Sequence, residues 1–327
     1  MSNYQSPKAT DYHPYVSVVV CVRNEAGNIA PLIQQVTQAM LSHPYELIYV
    51  NDGSTDQTLS ELRSQIHPRL HIIDLQQNYG QSSALMAGID AARGTFIVTM
   101  DGDRQNDPAD IPAMLTLAEQ GDYDLVAGIR ADRQDGVLLR KLPSYVANRL
   151  ICHTTGLNMK DFGCTLKVFR AELAKSLMLY GELHRFVAVL ASFEGARMTQ
   201  IPVRHHPRRI GQSKYGLNRI PKVASDLILL LFLKKYRQKP MHFFGGGGLF
   251  LLAMGALTGL CFLVNYFTSQ TAAGISLLIL SGILALGGMQ LLAFGILAEM
   301  QMRAHYETQA KKTYRIRRVY GPLQTTL

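Results

Sequence analysis

The chain reads as an α/β domain on a mainly parallel sheet, followed by an interfacial helix and a two-helix transmembrane hairpin. Three observations predict this. Apolar, β-branched runs alternate with segments of helical spacing from residue 15 to residue 128. No Asp, Glu, Lys or Arg occurs between Pro240 and Ala298. The fourth apolar run, Phe96-Ile97-Val98-Thr99-Met100, leads directly into the acidic motif Asp101-Gly102-Asp103-Arg104-Gln105. Regular βα alternation places helices on both faces of a parallel sheet. Uncharged runs of about 20 residues are long enough to cross a bilayer.

Element by element, a first strand is predicted over 15–21 and a helix over 29–41 behind an Asn28 cap. The second strand, 46–52, ends in Asn51-Asp52-Gly53-Ser54-Thr55-Asp56, a turn rich in helix-capping side chains. Strand 70–74, helix 81–92 and strand 96–100 follow. Pro108 opens a helix over 108–120, because its fixed φ suits the first helical position, and 124–128 is a fifth strand. Beyond Gly128 the alternation loosens. Helical spacing covers 138–154, 171–180 and 185–194, and extended segments cover 165–170 and 198–204. Ile220, Val223, Leu227, Leu230 and Leu231 then repeat at helical spacing with basic residues gathering toward Lys239. That pattern fits a helix lying in the membrane interface, although an amphipathic core helix has the same apolar face. The expected organisation is a polar arm (1–14), a cytoplasmic domain (15–212), an interfacial helix (213–239), a hairpin (240–298) and a basic tail (299–327).

The uncharged stretch divides at the polar residues 265–271 into two spans, 243–264 and 272–298. Lys234, Lys235, Arg237 and Lys239 precede the first; Arg303, Lys311, Lys312, Arg315, Arg317 and Arg318 follow the second. The loop between them carries no charge. The positive-inside bias therefore puts both flanks and the large domain in the cytoplasm, at the inner membrane. The polar start has no apolar core of a signal peptide. A net charge of +9 suits anionic membrane lipids. It is not interleaved with aromatic residues, and no nucleic-acid module is visible, so nucleic acid is not expected as a partner. The four cysteines are scattered and read as reduced packing residues. Gly255-x-x-x-Gly259 fits close helix packing and leaves room for self-association of the hairpin into a homo-oligomer.

Two carboxylates one residue apart at the carboxyl end of a buried strand face the crevice where open α/β sheets bind ligands. Asp101 and Asp103, with the Gln105 amide oxygen, suit Mg²⁺ or Mn²⁺, hard ions that take the rest of their shell from water and substrate phosphates. The first and second strands end beside them in Val22-Arg23-Asn24-Glu25 and Asn51-Asp52-Gly53. Asp52 can accept the imide N–H of uracil, yet Glu25 and Asp52 can equally cap turns. No Gly-x-Gly-x-x-Gly turn follows the first strand, which excludes a dinucleotide site of that kind. A second cluster is basic: Arg130, then Arg140 and Ser144 one turn apart, then Arg208, Ser213 and Lys214. Arginine forks and hydroxyls hold phosphate; a solvated basic face is the alternative.

Further segments carry a family resemblance: Asn78-Tyr79-Gly80-Gln81, Met86-Ala87-Gly88, Arg133-Gln134-Asp135, Asn148-Arg149-Leu150-Ile151, Thr154-Thr155-Gly156, Asp161-Phe162-Gly163-Cys164 and Gly211-Gln212-Ser213-Lys214-Tyr215. On these the chain resembles the family-2 polyprenyl-phosphate glycosyltransferases, a group that includes dolichol-phosphate mannose synthases. Within it, the chain is most similar to bacterial undecaprenyl-phosphate 4-deoxy-4-formamido-L-arabinose transferases. The likeness runs from about Val16 through the second span. It implies a GT-A-type, Rossmann-like sheet. It also implies inverting transfer from a nucleotide sugar, UDP-linked by family expectation, to undecaprenyl or another polyprenyl phosphate. The implied sugar is 4-deoxy-4-formamido-L-arabinose, with glucose, mannose or N-acetylglucosamine as alternatives.

By position, the resemblance assigns Asp101, Asp103 and Gln105 to the metal and Glu25, Asp52 and Asp101 to the nucleotide. Arg130, Arg140, Ser144, Arg208, Ser213 and Lys214 fall on phosphate-holding positions, and Asp103, Arg130, Arg140 and Asp161 on catalytic ones. A lipid monophosphate has its second pKa at about 6 and is already ionised at neutral pH. Asp161 is therefore expected to orient groups rather than act as a base. Gly102 and Arg104 stand where Ala and Leu are usual, Ala298-Glu299-Met300 replaces Gly-Glu-Tyr, and the basic tail matches poorly. A processive polysaccharide synthase is disfavoured because the chain has no tryptophan for its Gln-x-x-Arg-Trp segment. A catalytically silent adaptor for lipid-linked sugars is disfavoured by the intact acidic motif.

Overall fold

The computed structural model describes residues 13–130, 152, 156–207, 240–268, 273–307 and 313–321. They form two compact units, a sheet domain that includes the last strand of the chain, and a pair of long helices.

The sheet has eight strands: β1 (Val16–Val22), β2 (Tyr45–Asn51), β3 (Leu70–Leu75), β4 (Phe96–Asp101), β5 (Leu125–Arg130), β6 (Lys167–Arg170), β7 (Met198–Val203) and β8 (Ile316–Tyr320). Their order is β7-β5-β6-β4-β1-β2-β3-β8. β1 pairs in parallel with β2 and β4, as do β2 with β3 and β5 with β7. β6 runs antiparallel to both β4 and β5. β1 to β3 are buried almost residue for residue, because helices cover both faces of this part of the sheet.

The helices of this domain are α1 (Ile29–Ala39), α2 (Thr58–Ser64), α3 (Gln81–Ala91), α4 (Ile111–Gln120), α5 (Ala171–Ser176) and α6 (Val187–Phe193). α1 buries Ile29, Leu32, Ile33 and Val36, a stripe at helical spacing worth roughly 1.5–3 kcal/mol per large side chain. α3 buries small residues instead, among them Ser82, Ala84, Ala87 and Gly88. A methyl group on Gly88 would overlap the Val19 side chain, so the helix lies close against β1. That close approach carries the α3 amino terminus to the end of β4.

Some boundaries differ from expectation. The helix entered at Pro108 starts as a 3₁₀ turn, Pro108–Asp110, with the Asp107 carboxylate accepting the Ala109 N–H at 3.0 Å. A second 3₁₀ turn, Leu183–Phe186, precedes α6. The larger correction concerns the basic tail. The segment 299–327 is not all appendage: a helix runs on to Glu307, and Ile316–Tyr320 returns to the sheet as β8, antiparallel to β3. Gln76 N–H donates to the Arg315 carbonyl at 3.0 Å, and the Tyr314 hydroxyl donates to Asp90 at 2.7 Å. Arg317 and Arg318 are exposed on this edge, where charged side chains discourage further strand pairing.

The second unit consists of α7 (Pro240–Thr268) and α8 (Ala273–Glu307). Phe243–Thr268 and Ile275–Ala298 are long and apolar enough to cross a membrane, each with mean hydropathy 2.1. Leu249, Phe250, Leu257, Leu260, Ile283 and Leu286 are exposed, as lipid-facing side chains are and those of a soluble core helix are not. α7 and α8 meet through glycines. A Cβ on Gly248 would stand 2.9 Å from the Gly288 carbonyl oxygen, and one on Gly255 would stand 3.1 Å from Ala285 N. The Ser281 hydroxyl donates to the Gly255 carbonyl at 2.8 Å. The small-residue face that the sequence leaves open to a second copy is thus used inside the hairpin. The interfacial helix expected over 213–239 and the helix expected over 138–154 lie outside the described residues, apart from Cys152.

Candidate active site

The sheet reverses its winding at β1, with β2 and β3 on one side and β4 on the other. Cys21 aligns with Val50 across one seam and with Asp101 across the other. The crevice outside this switch point is where open α/β sheets bind ligands. Glu25, Asp52 and Asp101 follow β1, follow β2 and end β4, so the topology brings them to one end of the sheet.

The acidic loop is held from several directions. Asp103 accepts the Gln105 N–H at 3.1 Å, a local turn that fixes its carboxylate. Arg104 takes a left-handed φ of 61°, which a non-glycine residue adopts only when its surroundings enforce it. The Gln105 carbonyl receives the His206 N–H at 2.8 Å and lies 3.0 Å from His205 Nδ1. Thr165 donates to Asn106 at 2.9 Å. Gly102 has a packing reason: a methyl group there would overlap the Val22 side chain at the end of β1.

Asp101 accepts a hydrogen bond from Gln81 Nε2 at 2.8 Å, at the amino end of α3. Burial, followed by the charge of Asp103, pushes the Asp101 carboxyl up to about 7. Two adjoining carboxylates in low dielectric resist losing both protons unless a cation joins them. The donor set fits a hard divalent ion. Among the described residues no three His, Cys, Asp or Glu side chains gather into a closed cage. An ion that draws most of its shell from phosphates and water needs only the two carboxylates.

Asp52 occupies the predicted crevice, and the structure adds a local duty. Its oxygens accept main-chain N–H groups of Tyr79 at 2.7 Å and Gly80 at 3.0 Å. Burial raises its carboxyl above the usual range against these bonds. A base contact from Asp52 would use the lone pairs that these bonds leave. Glu25 accepts from Asn28 Nδ2 at 2.9 Å and its N–H donates to Thr58, so it shapes the turn into α1.

Arg130 and Asp161 are brought together as a fork: Nε donates at 2.8 Å and Nη2 at 2.9 Å. Burial alone would raise the Asp161 carboxyl, but the Arg130 bonds outweigh it and hold it below the usual range. An anion so held is a poor proton acceptor. Arg140, Ser144, Arg208, Ser213 and Lys214 lie outside the described residues. Three site neighbours escaped the sequence reading: Gln81, Lys167 and His184. Gln81 closes the Asn78-Tyr79-Gly80-Gln81 segment, so its signal was present. Lys167 and His184 carry no local signal.

Residues 17–178 match the family Glycosyl transferase family 2. The chain is 42% identical over 313 residues to dodecaprenyl-phosphate galacturonate synthase of Rhizobium johnstonii, with 93% of each chain covered. It is 35% identical over 316 residues to undecaprenyl-phosphate 4-deoxy-4-formamido-L-arabinose transferase of Yersinia enterocolitica, with 95% of each covered. Glucosyl-3-phosphoglycerate synthase from Mycobacterium tuberculosis, solved with Mn²⁺ and uridine-diphosphate-glucose, is similar in structure. Its TM-score is 0.54 at 19% identity, over 68% of this chain and 79% of that one. At that identity the likeness is one of fold, and the fold is GT-A. The two long relatives match from the sheet domain through the hairpin, and the chain belongs to glycosyl transferase family 2, among its polyprenyl-phosphate glycosyltransferases.

Proposed function

We propose that the protein moves a sugar from a UDP-sugar to undecaprenyl phosphate, with inversion at the anomeric carbon, on the cytoplasmic face of the inner membrane. The observation that carries this reading is the Asp101–Asp103 pair at the β1–β4 switch point, in a chain that continues into a lipid-facing hairpin. The basic flanks of the spans support the cytoplasmic placement. Two sugars stay in view, galacturonate and 4-deoxy-4-formamido-L-arabinose, each named for one of the long relatives. Uridine is supported by Asp52 at the nucleotide end of the crevice and by the UDP-glucose complex of the fold relative.

In this mechanism the acceptor phosphate, already ionised, is the nucleophile. Its oxygen forms a bond to the anomeric carbon as the bond from that carbon to the diphosphate oxygen breaks, and no side chain has to remove a proton. Asp101 and Asp103 would hold Mg²⁺ or Mn²⁺, which supplies neutralisation of the leaving diphosphate. Gln81 keeps Asp101 in position. Arg130, fixed by Asp161, puts a cation at the end of β5, on the route of the acceptor phosphate. Arg140, Ser144, Arg208, Ser213 and Lys214 complete the phosphate grip in this reading. Catalysis is then positioning and charge compensation rather than general base chemistry.

Sealed inverted membrane vesicles containing the protein should form a sugar-phosphate lipid from added UDP-sugar. Right-side-out vesicles should not until they are permeabilised. The opposite pattern would move the active site to the other face.

A further inference from the structure

Beside the acidic motif lies a small cavity walled by Gln81, Asp101, Lys167, Phe169, His184 and Val187. Its volume is about 30 Å³, room for about two waters or one carboxylate and too small for a sugar ring. Lys167 is 4% exposed, and among the described residues its ammonium donates one hydrogen bond, to the Cys164 carbonyl. No carboxylate forms an ion pair with it among those residues. The charges of Asp161 and Asp101 act on it from beyond ion-pair distance while burial disfavours its charged form, and an arriving carboxylate in direct contact would offset that burial. His184 stands opposite, oriented by Ser82, whose hydroxyl oxygen lies 3.0 Å from Nδ1 and accepts the His184 main-chain N–H at 3.1 Å.

We propose that this cavity receives the carboxylate of a uronic acid donor, with Lys167 as the residue that selects it. The inference rests on the functional reading above and narrows it to an anionic sugar. If Asp101 holds the diphosphate through a metal, the sugar begins beside this cavity. In a uronate the carboxylate hangs on C5, separated from the anomeric carbon only by the ring oxygen and C5 itself. A group so placed reaches the cavity while the ring stays outside. Leu85, Met100, Phe169 and Val187 supply apolar wall, which strengthens a charge-assisted bond to Lys167, and Thr99 and Thr165 also line the cavity. Asp101, on the rim, has its own charge engaged by the metal in the same reading.

Calorimetry on the full-length protein in detergent with Mn²⁺ tests the assignment, using UDP, UDP-galactose and UDP-galacturonate. UDP-galacturonate should bind about tenfold or more tighter than UDP-galactose. Lys167→Met should erase that preference while leaving UDP and UDP-galactose affinities within about twofold. Equal weakening of all three ligands in Lys167→Met would make the lysine a phosphate contact and overturn the proposal. Absence of the preference in the unmodified protein overturns it too, even if the variant fails to fold. Failure of the unmodified protein to bind UDP at all would instead contradict the underlying functional reading.

Discussion

Asp103→Asn is expected to lower turnover by about two to three orders of magnitude while leaving the fold intact. Asp103 bonds locally to the Gln105 N–H, and an Asn side-chain oxygen can keep that bond. What the variant loses is negative charge at the place where a divalent ion and the diphosphate meet. Circular dichroism should be unchanged, and Mn²⁺-dependent binding of UDP should weaken in parallel with turnover. Undiminished activity in excess chelator would remove the metal from the account.

The second large effect lies at the opposite end of the strands, away from the crevice. Glu46, at the start of β2, is fully buried and ties four segments together. It accepts Ser17 Oγ at 2.6 Å, Arg93 N at 2.7 Å, and Arg93 Nε and Nη2 at 3.0 and 2.8 Å, with His71 Nε2 at 3.3 Å. Burial would raise its carboxyl, but the bonds from His71, Ser17 and Arg93 outweigh it and hold the value at about 2. Glu46→Ala should therefore cost about 3–5 kcal/mol, because it strands these donors in the interior. The pH dependence follows from the depressed value. The stabilisation is fully present above the ordinary carboxylate range and is lost as pH falls from about 4.5 toward about 2. Melting of the unmodified protein should thus drop further on acidification to pH ~3 than melting of Glu46→Gln. Parallel curves would show that Glu46 is not the group being titrated.

Much of this architecture was legible in the sequence, for identifiable reasons. β1, β2 and β4 are largely apolar runs buried on both faces and bounded by turn residues, so their composition and their boundaries agree. The acidic motif could be placed because it abuts such a run. The hairpin could be read because two uncharged runs, each long enough to cross a bilayer, follow one another. β8 was hidden because Arg315, Arg317 and Arg318 belong equally well to a membrane flank and to an exposed edge strand, and only long-range pairing with β3 decides between them. The antiparallel insertion of β6 between β4 and β5 was hidden for the same reason.

At the site, Arg130 and Asp161 were both identified, but their mutual bond spans 31 residues and has no local signature. Asp52 was read as a ligand contact, and its clamp on Tyr79 and Gly80 emerged only when the β3–α3 loop was in place. Lys167 could not be singled out at all. A lysine in a short strand ordinarily points to solvent, and its burial is set by the packing of α3 and α6 over the sheet.

Transfer of a sugar to a lipid phosphate can be followed in one reaction. Purified protein is incubated with undecaprenyl phosphate, Mn²⁺ and a panel of UDP-sugars, and the lipid extract is read by mass spectrometry. A new lipid should appear whose mass equals undecaprenyl phosphate plus one glycosyl unit, formed in step with UDP and abolished by chelator. Release of UDP with free sugar and no glycosylated lipid, for every donor in the panel, would contradict it.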